Sequence, residues 1–198
     1  MEQEAYYGEI QSGHLEQVGY DTYCNLLDEV VKEMKGIDFK KEEEIQIDLD
    51  VTSYIPDEYI SDANQKIEVY QNIALCRNEE DIQNIIDEVI DRFGNMPEQL
   101  ENLIDIARIK YLSKELHIEK IASRRNAVLF TFNPNTVRDV VDIPEIVKKY
   151  GNKIKFSSGI KPMVTLEIKD TSDRNLLREV TGFVKFLTNN KPECKKIN

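Results

Sequence analysis

The sequence predicts an α+β fold: a helical middle segment packed with a small mixed or antiparallel sheet and closed by a C-terminal helix. Three observations carry this expectation. Ile45, Ile47, Leu49 and Val51 alternate with polar residues, the period of a strand with one buried face. From Pro56 to Leu116 the apolar residues recur at helical spacing in three consecutive blocks. The last third then changes period repeatedly, with short apolar runs separated by turn residues and a long amphipathic run at the end.

The elements follow in order. Leu15, Val18, Tyr23, Leu26, Leu27, Val30, Val31 and Met34 share one helical face, and Gly36 is a natural stop. Tyr6-Tyr7-Gly8 and Gln11-Ser12-Gly13-His14 read as loop in front of that helix. One helix behind a loop cannot bury a core by itself, so residues 1–36 read as the end of something upstream. The charged residues 37–44 read as a linker, and the domain proper as 45–198. After the first strand, Pro56 is placed to open a helix over 56–76 that carries Tyr59, Ile60, Ala63, Ile67, Tyr70, Ile73 and Ala74. Asn78 is an N-cap residue followed by Glu79, Glu80 and Asp81, where the helix dipole favours acids. That helix runs to Phe93, with Gly94 as the C-terminal cap. Pro97 opens a third helix through Leu100, Leu103, Ile104, Ala107, Tyr111 and Leu116. Residues 118–122 and 128–132 form strands around Arg124-Arg125-Asn126. A helix is expected over 136–150 despite Pro144, then strands over 153–156 and 163–168, then a closing helix over 170–187.

With 198 residues, 40% hydrophobic and 32% charged, the chain is long enough to bury a core and keeps a strongly charged surface. Its formal net charge of −11 argues against direct nucleic-acid binding, which needs cations to replace phosphate counterions. The same charge suits a basic protein partner. Cys24, Cys76 and Cys194 are odd in number and lack CxxC spacing, which points to a reducing, cytoplasmic setting. No apolar run approaches the length of a membrane span, and residues 1–7 have no signal-peptide core.

No phosphate-cradling GxxxxGK[ST] loop, GxGxxG turn or GxSxG elbow is present, and no cofactor is expected. His14 and His117 stand apart, without metal-ligand spacing to a cysteine. Asp48 and Asp50 share one strand face and could hold Mg²⁺ for a metal-dependent phosphotransferase. They equally suit the polar face of an amphipathic strand. Arg124, Arg125 and Lys120 could touch phosphate or simply solvate a hairpin. On the helix from Asn78 to Phe93, Ile82, Ile85, Ile86, Val89 and Phe93 form an apolar stripe. Glu80, Asn84, Asp87, Glu88 and Asp91 fall opposite it at 100° per residue. Asn84, Glu88 and Asp91 are spaced as a ridge. Acids near a helix C-terminus oppose its dipole, so the ridge reads either as a solvated face or as a docking surface for arginines. A docking ridge would make the chain a binding module, for a basic protein partner still to be named.

The stretch Gln11-Ser12-Gly13 through Val18-Gly19-Tyr20 and Tyr23-Cys24-Asn25-Leu26-Leu27 resembles the segment after the motor of bacterial transcription-repair coupling factors. Tyr54-Ile55-Pro56 through Tyr70, then Ile90-Asp91-Arg92-Phe93-Gly94, Pro97 and Leu103-Ile104-Asp105-Ile106-Ala107-Arg108, resemble landmarks of that family's C-terminal domain. The resemblance implies a non-catalytic regulatory domain plus the exit segment of an ATP-driven DNA translocase. It further implies that this domain clamps the N-terminal, excision-repair-recruiting module of the same parent chain and masks it. By the family's pattern, Glu88 and Asp91 would meet arginines of that module, with Asn84 and Asp87 beside them. Arg92, Phe93 and Gly94 would serve structure.

Overall fold

The computed structural model describes residues 45–192. The expected exit segment 1–36 and linker 37–44 lie outside those residues. In chain order the elements are β1 (Gln46–Asp48), α1 (Ala63–Ala74), α2 (Glu79–Phe93), α3 (Glu98–Lys114), β2 (Ile118–Arg124), β3 (Ala127–Phe132), α4 (Val137–Val140), α5 (Ile143–Tyr150), β4 (Ile154–Ser157), β5 (Met163–Glu167) and α6 (Asp173–Asn189).

The five strands form one mixed sheet in the order β1-β2-β3-β5-β4. β1 runs parallel to β2 and every other pair is antiparallel. Parallel neighbours need a long crossover, and here the three helices α1, α2 and α3 supply it. Val128, Phe130 and Phe132 alternate inward along β3, with Ile118 and Ile121 of β2 and Val164 and Leu166 of β5 buried alongside. α6 covers this face with Leu176, Leu177, Val180, Phe183, Val184 and Leu187. The Phe183 ring lies 4.7 Å from Phe130 and 5.2 Å from Tyr150 of α5. α3 buries residues around most of its circumference, among them Leu100, Leu103, Ile106, Ile109 and Leu112. A helix apolar all round belongs in the interior, and α3 packs against α1, α2 and α6.

Three expected elements differ from the structure, each for a local reason. The first helix starts at Ala63, not near Pro56. The Pro56 carbonyl accepts the N–H groups of Tyr59 and Ile60 in a single isolated turn. Asp62 then caps α1 by accepting the Gln65 N–H at 2.9 Å. The helix expected over 136–150 is two pieces, α4 and α5. Between them Val141 and Asp142 are extended, Asp142 caps α5, and Pro144 sits in its first turn. Proline there lacks only an N–H that would have no intrahelical partner. β1 keeps its buried residues Ile45 and Ile47 but pairs over just three positions. Beyond it the Asp50 N–H donates to the Ser123 hydroxyl at 2.7 Å instead of to the ladder.

Candidate protein interface

α2 is fixed at both ends. Asn78, extended at φ −154° and ψ 174°, accepts the Asp81 N–H at 2.9 Å, and the Asp81 carboxylate accepts the Arg77 N–H at 2.8 Å. The first bond satisfies a donor that the first turn leaves open, and the second fastens the residue ahead of the cap. At the other end Gly94 takes φ +84°, a conformation glycine adopts without strain, and returns its N–H to the Ile90 carbonyl at 2.9 Å. The Tyr59 hydroxyl donates to the Gly94 carbonyl at 2.7 Å, and the Tyr59 ring lies 6.0 Å from Phe93. Ile82, Ile85 and Val89 are buried, while Ile86 and Phe93 are half-buried. The helix is therefore held in one rotation, and Glu80, Asn84, Asp87 and Asp91 face out, all exposed.

The four expected interface residues are not equivalent. Asp91 and Asn84 have no hydrogen bond or ion pair among the described residues, and Asp87 accepts only from the neighbouring Gln83 amide at 2.7 Å. Glu88 is different. It is half-buried, with its carboxylate 2.5 Å from Arg92, which also reaches Glu68 of α1 at 3.3 Å. The ridge of Asn84, Glu88 and Asp91 read from spacing is thus split: Glu88 is paired with Arg92, the residue that ties α2 to α1, whereas Asn84 and Asp91 stay open, as does Asp87 beside them. The signal was in the sequence, since Glu88 and Arg92 stand four apart with the acid first. Exposed Ile90 lies between the two open acids in sequence.

The N-terminal end of α2 spends its acid on the fold. Glu79 accepts from Arg108 Nε at 3.0 Å and from the Tyr111 hydroxyl at 2.7 Å, both on α3. Burial pushes the Glu79 carboxyl up, but these hydrogen bonds outweigh it and leave it below its ordinary value. Arg108 also pairs with Asp105, whose carboxyl burial holds above the usual range despite that partner.

The alternative metal site finds less support. The Asp48 carboxylate is exposed, and the Lys120 ammonium stands 3.9 Å from it on the adjacent strand. A cation there would meet an existing positive charge. Among the described residues no group of three or more His, Cys, Asp or Glu side chains is placed to hold a metal ion. Arg124 and Arg125 are exposed at the β2–β3 turn, where Arg125 takes φ +52°. No helix among the described residues is long and apolar enough to cross a membrane.

Comparison with known proteins places these elements. The TRCF domain family matches residues 49–143, which include all of α1, α2 and α3. The transcription-repair-coupling factor of Bacillus subtilis is 32% identical over 184 residues, 91% of this chain and 16% of that protein. The transcription-repair-coupling factor of Rickettsia prowazekii is 36% identical over 176 residues, 87% of this chain and 15% of that protein. The chain thus spans about one-sixth of the length of these relatives. A crystal structure of the C-terminal domain of a transcription-repair coupling factor superposes with a TM-score of 0.67 at 21% identity, covering 74% of this chain and 92% of that one. At that identity the superposition speaks for the fold, and the sequence relatives speak for the family. The chain belongs to the transcription-repair-coupling factor family, and its described residues have the fold of that family's C-terminal domain.

Proposed function

We propose that this chain is a non-catalytic regulatory domain of a transcription-repair coupling translocase, and that the outward face of α2 docks on the N-terminal, repair-recruiting module of the same parent protein. The observation that carries the reading is the pair Asp87 and Asp91. Both are exposed on a helix capped at each end, and no cation of the described residues neutralises either. Carboxylates presented in this way suit arginine forks, which bind them by paired charge-assisted hydrogen bonds. Glu88 takes part through its free oxygen or by exchanging Arg92 for a partner arginine, and Asn84 adds a neutral hydrogen-bonding group. Docking within one parent chain acts at high effective concentration, so a modest contact is enough to mask the module. Release follows from any state of the parent that binds the module better.

Titration calorimetry of this chain into the separately produced N-terminal module tests the reading. Wild-type binding that Asp87→Asn/Asp91→Asn abolishes is the expected result. Absence of wild-type binding, both with free partners and with the two pieces joined by a flexible linker, would overturn it.

A further inference from the structure

We propose a second docking site, independent of α2: the groove along α6 takes an acidic segment of a protein partner. A groove of about 650 Å³ is lined by Asp105 of α3, by Asp170 ahead of α6, and by Arg174, Arg178, Thr181 and Lys185 of α6. The four α6 residues stand at i, i+4, i+7 and i+11, so they share one face over about 16 Å of helix. This is a run of cations on a chain whose formal net charge is −11.

The charges in the groove are unevenly committed. Of its two acids, Asp105 pairs with Arg108, while Asp170 accepts the Ser172 N–H at 3.0 Å and keeps its charge within reach of Arg178 at the start of the groove. Of its cations, only Arg178 has partners, the Asn175 side chain and Glu179 at 3.7 Å. Arg174 and Lys185 are exposed and make no ion pair or hydrogen bond among the described residues; Lys185 feels Glu79 and Asp105 without bonding either. The Thr181 hydroxyl oxygen is buried with no partner. It lies beneath the middle of the cationic run and is not itself exposed to the groove, so recognition falls to the charged groups around it. Gly182 beside it leaves room, since a Cβ built there meets nothing within 4 Å.

The chemistry that fits is a few carboxylates on one extended or helical segment. Arg174 and Arg178 are separated by about 6 Å along the axis and Arg178 and Lys185 by about 10 Å. A nucleic-acid duplex is a poorer match. It carries one charge per roughly 1.7 Å, which the acidic domain as a whole repels.

Fluorescence anisotropy of a labelled hexaglutamate peptide with the full 198-residue chain at low ionic strength tests this. The account expects saturable binding that weakens about tenfold in Arg174→Gln/Lys185→Gln. It expects loss also in Gly182→Glu, whose own carboxylate occupies the groove. Asp87→Asn/Asp91→Asn should leave this binding unchanged, which separates the site from the α2 face. Circular dichroism of each variant checks that the fold is intact. Hexaglutamate binding that is absent from the wild type, or equal in wild type and Arg174→Gln/Lys185→Gln, would overturn the proposal. So would duplex DNA that binds and depends on the same residues while hexaglutamate does not.

Discussion

At the N-terminal end of α2, Glu79 is gripped by Arg108 and Tyr111 and ties the helix to α3. At the C-terminal end, Asp91 faces solvent with no partner among the described residues, on a turn where an acid opposes the helix dipole. The same residue class serves the fold at one end and stands outside it at the other. Glu88 lies between the two cases, half-buried and paired with Arg92. The difference teaches where to look for function: among groups that the packed structure neither uses nor explains.

Substitutions that break this contrast should fall in a definite order. Ile82→Ala, on the buried face of α2, should cost about 3 kcal/mol in denaturant unfolding. Arg108→Ala should cost about 2 kcal/mol near neutral pH, because it leaves Glu79 and half-buried Asp105 without their cation. Glu79, lowered in the fold, contributes stability above its unfolded value of about 4.3 and loses it as pH falls through the folded value. Asp105, raised in the fold, runs the other way: its ionisation costs stability as pH rises through its folded value. Arg108 favours the charged form of both, so the deficit of Arg108→Ala should shrink on acidification below about pH 4, read from unfolding curves across pH.

Smaller effects sharpen the comparison. Gly182→Ala should raise stability by up to about 1 kcal/mol, since the added methyl meets nothing within 4 Å in mid-helix. Glu88→Ala should lower stability slightly through loss of the Arg92 pair. Asp91→Ala should be neutral or stabilising by a few tenths of a kcal/mol, because it removes an acid from the wrong end of the dipole. Opposite signs for these two neighbours in thermal melts would separate an acid used by the fold from one that is not.

Much of the fold was legible wherever a local signal settled the matter. α2 could be bounded from Asn78 and Gly94 because capping is a property of a few adjacent residues. The start of α1 was misplaced because proline at 56 and aspartate at 62 both announce a helix, and only the packing of Ile55 and Ile60 decides between them. The break at Val141–Asp142 was legible in Pro144 and was overridden by apolar periodicity. The parallel pairing of β1 with β2 joins residues some seventy positions apart, and no local pattern encodes that. At the candidate interface, spacing gave the outward face correctly but treated Glu88 and Asp91 as alike. The tie from Arg92 to Glu68 on a different helix separates them. The α6 groove was not legible, because Asp105 enters it from α3.

The most direct test measures stability and docking in one variant, Asp87→Asn/Asp91→Asn. The account predicts an unfolding midpoint equal to or slightly above wild type, together with loss of binding to the N-terminal module. Wild-type docking in that variant, or a loss of docking that tracks a loss of stability, would contradict the claim that these two acids belong to function and not to the fold.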